Sequence, residues 1–326
     1  MPITKRLTSF VFSLAILALP VVIWVNHQAL LDWWKLRGYN PPPSVVKLSQ
    51  EDGLTDTARH IFYVNHPLLA DSAAAFNQEC PQSEQTIVLG CYHSGQNGIA
   101  IYNVKDARLG GVQEVTAAHE MLHAAYDRLS SKDKNYIDGL LTDYYAHDLH
   151  DQRILNTMNL YKKTEPHDVV DEMHSVFGTE IANLPAPLEN YYQRYFTNRS
   201  AVANFAAGYQ AEFSSRINQI NDDDQRLAAM KKQIQAEEQN LQVQQSQLDA
   251  DRSRLDSLRS SGQIDAFNAA VPGFNVKVAA YNQGVNKLQR DIAAYNQLVN
   301  DRNAIASDLR GLQGAIDTRL TTQGTQ

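Results

Sequence analysis

His119, Glu120 and His123 stand in the order His-Glu-Met-Leu-His, and the step of four between the histidines matches one helical turn. Residues four apart on a helix stack on one face with Cβ atoms about 5–6 Å apart. Two imidazoles so placed converge on one zinc ion, at bonds of about 2.0–2.1 Å. Glu120 follows His119 by one residue and projects about 100° around the helix, beside the ion and not among its ligands. A general base that takes a proton from an attacking water belongs there. The chemistry that fits is zinc-dependent hydrolysis of a peptide bond, with a polypeptide as substrate and Glu120 as catalytic base. Two histidines on the surface of an ordinary helix are the bland alternative.

The element that must hold this pattern is itself legible. Val115, Ala118, Leu122, Ala125 and Leu129 recur at steps of three and four, and Ala117, Ala124 and Ala125 flank the motif with small side chains, which predicts an amphipathic helix with one buried face. Upstream, two β-rich runs, Thr86–Leu89 and Ile99–Val104, are separated by the polar, Gly-containing stretch His93–Gly98, the pattern of a hairpin with a longer loop. Ile99–Val104 is the candidate edge for strand addition by an extended peptide. Asp133–Tyr145, Val169–Phe177 and Leu188–Phe196 read as helices.

The stretch His119-Glu120-Met121-Leu122-His123-Ala124-Ala125-Tyr126-Asp127 resembles the active-site helix of the gluzincin metallopeptidases, the thermolysin-like group. The metzincin pattern is not met, because it needs glycine at Tyr126 and histidine at Leu129. The gluzincin resemblance implies a zincin-like domain and a third zinc ligand from a downstream glutamate. Asp171-Glu172-Met173-His174-Ser175 carries the E-x-x-S core of that family's second helix, so Glu172 is the implied ligand. Val176 stands where the family has an orienting aspartate, and Asp127, one turn after His123, is offered in its place. Glu180 is the rival third ligand. His174 is either a ligand or a transition-state hydrogen-bond donor, against the plainer reading of a buried structural histidine. Tyr191, Tyr192, Tyr195 and Arg194 carry the same pair of readings.

The rest of the 326 residues set the context. With 29 Lys plus Arg against 36 Asp plus Glu, the formal charge of −7 argues against nucleic acid as a partner. No Gly-rich phosphate loop or G-x-S-x-G elbow is present. Leu7–Val25 is free of charge and long enough for a bilayer, which predicts an uncleaved anchor at 7–25 behind a cytoplasmic N-terminus at 1–6, a cleaved signal peptide being the alternative. The expected localisation is the cell membrane, single-pass, with the catalytic domain extracytoplasmic and Trp24, Trp33 and Trp34 near the interface. Pro41, Pro42 and Pro43 predict a stiff spacer within a linker at 26–50. The metallopeptidase domain is expected at 51–200. Cys80 and Cys91 suit a local disulfide in an oxidising compartment, or two small buried thiols.

Beyond residue 200 the organisation is heptad. Phe213, Ile220, Leu227, Ile234, Leu241, Leu248 and Leu255 form one series, and Phe274, Tyr281, Leu288, Tyr295, Arg302, Leu309 and Ile316 another, with Val278, Val285, Ile292 and Val299 beside it. Asp224, Gln245 and Arg252 weaken the first seam. Pro272-Gly273 is the turn signal between the series. An antiparallel coiled-coil hairpin over 201–326 is expected, for docking a substrate or protein partner; a parallel homodimer or a bundle is the alternative. The expected class is therefore mainly α, α+β: an N-terminal transmembrane helix, a small zincin-like domain with a short β-hairpin, and the coiled coil. The function class set against the peptidase is a non-catalytic coiled-coil scaffold with a metallopeptidase-like binding domain.

Overall fold

Helices dominate because most apolar positions recur at helical steps and find each other across short connections. The computed structural model describes residues 26–81 and 87–319. The chain divides into two compact units, the first running to Gln210 and resuming at Ala315, the second Ala211–Gly314. In chain order the first unit holds α1 (His27–Leu36), α2 (Pro43–Glu51), α3 (Asp56–Val64), β1 (Leu68–Ala70), α4 (Ala73–Glu79), β2 (Gly90–His93) and β3 (Gly98–Tyr102). It continues with α5 (Val112–Asp127), α6 (Ser131–His147), α7 (Gln152–Thr164), α8 (Val169–Glu180), α9 (Ala186–Tyr192) and the start of α10 (Arg199–Ser260). Several helices begin on a side chain that accepts from amides the helix leaves unpaired: Thr55 for α3, Ser72 for α4, Ser130 for α6 and Asp151 for α7.

Helix α5 is the centre of this unit. Ala117, Ala118, Met121, Leu122, Ala124 and Ala125 are buried, packed with Phe62, Ile137, Leu141, Met158, Phe177 and Tyr192. Each large member of that cluster contributes about 1.5–3 kcal/mol by leaving water. The three strands lie in the order β1-β3-β2. β1 is parallel to β3, and β2 is antiparallel to it with Gly90 opposite Ile101 and His93 opposite Gly98. β2 is therefore an edge strand and β3 is not, which corrects the expectation that Ile99–Val104 offers an edge. A disulfide joins Cys80, just past α4, to Cys91 on β2.

The segment 26–50 is not a linker. Pro42 and Pro43 open α2, the fixed φ of Pro43 suiting the first helical position, and Val45 and Leu48 are buried in the core. Asp32 of α1 accepts from both terminal guanidinium nitrogens of Arg128, just past the end of α5, each at 2.9 Å. The expected membrane localisation is also corrected, since no helix among the described residues is long and apolar enough to cross a membrane. The longest of them carry charged and amide side chains throughout. The stretch 1–25, on which the anchor was read, lies outside the described residues.

The second unit is an antiparallel pair made by α10 and α11 (Ile264–Ile316). Partners advance along one helix as they retreat along the other: Arg216 with Asp308, Asp224 with Arg302, Glu237 with Lys287 and Asp251 with Lys277. Leu241, Leu255, Leu298 and Leu312 are the most buried seam residues. The turn is at Ser261–Gln263, not at Pro272-Gly273, which lies inside α11. Gly262 adopts φ +77. Its amide and that of Gln263 donate to the carbonyls of Arg259 and Leu258, a glycine-closed helix end. The boundary expected at 200 falls just inside α10, short of where the units divide.

Candidate metal centre

Two close approaches place the site. Gly178 of α8 faces α5 so tightly that a Cβ there would lie 2.5 Å from Leu122 Cδ1, and this brings the first turn of α8 against the histidine face of α5. Gly90 of β2 does the same on the other side: its Cβ would lie 2.6 Å from Glu120 Oε1 and 2.5 Å from Thr116 Cγ2. A side chain at either position would have to push the helix or the glutamate away.

Within that frame the His119 and His123 rings stand 4.8 Å apart at 72°, their Nε2 atoms 3.0 Å from each other. Glu172 Oε2 is 3.6 Å from His119 Nε2, and Oε1 is 3.5 Å from His123 Nε2. Ligands bound tetrahedrally at about 2.0–2.1 Å lie about 3.3 Å from one another, so the three side chains span the edges that a zinc ion requires. The donor set of two imidazole nitrogens and one carboxylate oxygen suits that metal. Glu172 Oε2 is also buried without a hydrogen-bond partner, which an ion would remedy. Among the described residues this is the one cluster of His, Cys, Asp or Glu close enough to hold a metal. The residues present therefore fit the ion.

Asp171 completes the geometry. Its Oδ1 lies 2.9 Å from His123 Nδ1, which fixes the ring and leaves Nε2 free to donate a lone pair to a metal. Burial disfavours charge on His123, but the Asp171 bond and the carboxylates of Glu172, Asp171 and Glu120 outweigh it and push its pKa up to about 10. The two glutamates are driven apart. Burial holds the Glu120 carboxyl above its usual range, against the pull of His119 and His123. Burial acts on Glu172 too, but there the nearby His119 and His123, with Tyr161 beside them, prevail and lower its pKa. Two carboxyls in one site with opposed proton affinities are what acid–base assignment looks for.

These groups line a cleft of about 930 Å³ together with β2, the preceding Ile87–Leu89, Leu160, Tyr161 and Tyr209. The other sequence candidates stand outside the His119–His123–Glu172 cluster, although Asp127 and Glu180 line the same cleft. Asp127 accepts from the Tyr92 hydroxyl at 2.6 Å and the Gly95 amide at 2.9 Å, so it holds the β2–β3 loop and does not orient His123. His174, on the far side of α8, is fully buried against Tyr126, Tyr191, Tyr192 and Tyr195. It meets the Tyr191 hydroxyl at 2.9 Å, and burial pushes its pKa down to about 3. It is neither a ligand nor a donor into the cleft. Glu180 lines the cleft but is held by Arg153 and Gln210. Asp171, Tyr161 and Gly90 were not singled out from sequence. Only Asp171 carried a signal, as the neighbour of Glu172 on the residue pattern that named it. The chain matches no family model, no curated protein and no solved structure.

Proposed function

We propose that the chain is a zinc-dependent metallopeptidase of gluzincin-like design. The observation that carries the reading is the convergence of His119, His123 and Glu172 beside a buried Glu120 in one cleft. His119, His123 and Glu172 hold the ion, and Asp171 keeps the His123 tautomer that presents Nε2. A zinc ion in such a site polarises a carbonyl oxygen and lowers the pKa of water to about 7. Glu120 takes the proton of the attacking water and passes it to the departing amine, and its raised proton affinity suits it to hold that proton between the two steps. The free edge of β2 borders the cleft and offers main-chain groups to an extended polypeptide, a mode that needs no particular side chains. The helical pair is read as a surface for a protein partner or for self-association.

The test is metal analysis of the purified full chain, followed by digestion of an unfolded protein with and without a chelator. One zinc per chain and cleavage that stops on chelation are expected. Zinc without cleavage would leave a structural metal site and remove the enzyme.

A further inference from the structure

We propose that the chain's return from the helical pair is a strap that sets the position of one cleft wall, with Thr318 as its positioning residue. The chain leaves the first unit after Gln210 and rejoins it at Ala315. Three residues after that return, Thr318 is fully buried. Its Oγ1 donates to the Val88 carbonyl at 2.7 Å, and its own carbonyl accepts from Asn77 Nδ2 on α4 at 2.6 Å. Segments just past the end of a long helix ordinarily fray; this one is held from both sides.

What it holds is the cleft. Ile87, Val88, Leu89, Gly90, Cys91 and Tyr92 all line the cavity beside the metal cluster. Val88 has no strand partner of its own, β2 beginning only at Gly90. Its neighbours are fixed by other means: the Leu89 carbonyl accepts from the Tyr102 amide at 2.8 Å, and Cys91 is joined to Cys80. The Thr318 hydroxyl is thus the tether at the outer end of the wall, two residues before Gly90, where only the lack of a Cβ leaves room for the Glu120 side chain. The outgoing end of the excursion meets the cavity as well, through Tyr209 in its lining and Gln210 donating to Glu180 at 3.0 Å. Both ends of the excursion are therefore attached to residues that line the cleft. In catalysis the strap acts on substrate binding, because it fixes the wall and not the ligands or the base. That consequence rests on the peptidase reading, whereas the strap itself does not.

The experiment compares the full chain with Thr318→Val, which keeps the volume and removes the hydroxyl, and Thr318→Ser, which keeps the hydroxyl. Backbone amide exchange over 87–92 is expected to quicken about tenfold in Thr318→Val, as loss of the bond to the part-buried Val88 carbonyl loosens the segment, and to stay near wild type in Thr318→Ser. KM for a peptide substrate is expected to rise severalfold in the valine variant, with kcat within twofold and zinc stoichiometry unchanged. Unchanged exchange in Thr318→Val overturns the strap, and faster exchange with KM unmoved overturns its part in substrate binding. If the wild-type chain cleaves nothing, the peptidase reading falls by itself and the exchange result alone decides whether Thr318 holds the wall.

Discussion

Glu120 and Glu172 sit within one cleft and differ in what surrounds their oxygens, and in the proposed peptidase this difference divides the roles of base and ligand. Glu120→Gln is expected to keep zinc and fold and to lose about 10²–10⁴-fold in turnover, measured with metal stoichiometry on the same sample; undiminished turnover would rule out the base. Asp171→Asn is expected to lower zinc affinity about 10–100-fold in a chelator competition, while Asp127→Asn leaves it at wild type. The motif was legible because two histidines and a glutamate on one helix need only local spacing. Asp127 misled because a step of four after His123 is equally local, yet Tyr92 and the Gly95 amide, distant in sequence, claim its carboxylate. A further residue was invisible to pattern. Asp52 is wholly buried with both oxygens unpartnered, and burial, then Glu114 and Glu51, raise its pKa well above the usual range. A carboxyl whose folded pKa is raised gives its full stability below the unfolded value near 3.8 and loses it as pH rises toward the folded value. Asp52→Asn should therefore stabilise the protein progressively above about pH 4, by up to about 1.4 kcal/mol per pH unit within that window. Equal urea midpoints for variant and wild type at pH 5 and pH 8 would contradict it.

At the scale of elements, the heptad series identified two long helices, and the breaks in those series proved to answer each other. Asp224 and Arg302 looked like flaws in separate seams; in the folded pair Arg302 Nε and Nη2 reach the two Asp224 oxygens at 2.9 and 3.0 Å. A bidentate pair at one level fixes which turn faces which. Asp224→Arg is accordingly expected to lower the melting point of the pair, and Arg302→Asp in the same chain to restore it. Failure of the double exchange to recover would deny the register role. The turn was misread because Pro272-Gly273 is a strong local signal, whereas Gly262, flanked by serine and glutamine, looks unremarkable in sequence. Length decided: closing at Gly262 lets both series pair, and the exposed Pro272 costs one helical hydrogen bond. Pro272→Ala should raise the stability of the helical pair by about 1–3 kcal/mol, read from its thermal unfolding by circular dichroism. The same distinction explains α1 and α2, where a proline run suggested a spacer but Pro43 serves as the first residue of a helix whose apolar side chains had a core to enter.

For the whole molecule, sequence conveyed composition and class better than connection. A mainly helical chain with a small sheet was legible, and so was the change of material near residue 200; that the polypeptide crosses back into its first unit was not, because a few residues around Thr318 carry no periodicity. The crossing has a consequence for the order in which the protein is made. Joining Thr318 to Val88 across a flexible excursion of about a hundred residues would cost on the order of 4 kcal/mol in closure entropy. The helical pair, built from contacts between near neighbours about its turn, forms quickly and without help, and in forming it brings Ala315 back toward the point of departure. The excursion thus works as its own folding aid, and the cleft wall is the last part to set. During synthesis His119, His123 and Glu172 emerge long before the residue that steadies the wall beside them, so the proposed metal site can assemble while the cleft is still unfinished. Pulse labelling of amides during refolding should find 211–314 protected before 87–92. The opposite sequence would mean that the first unit closes around a loop and the helices zip afterwards.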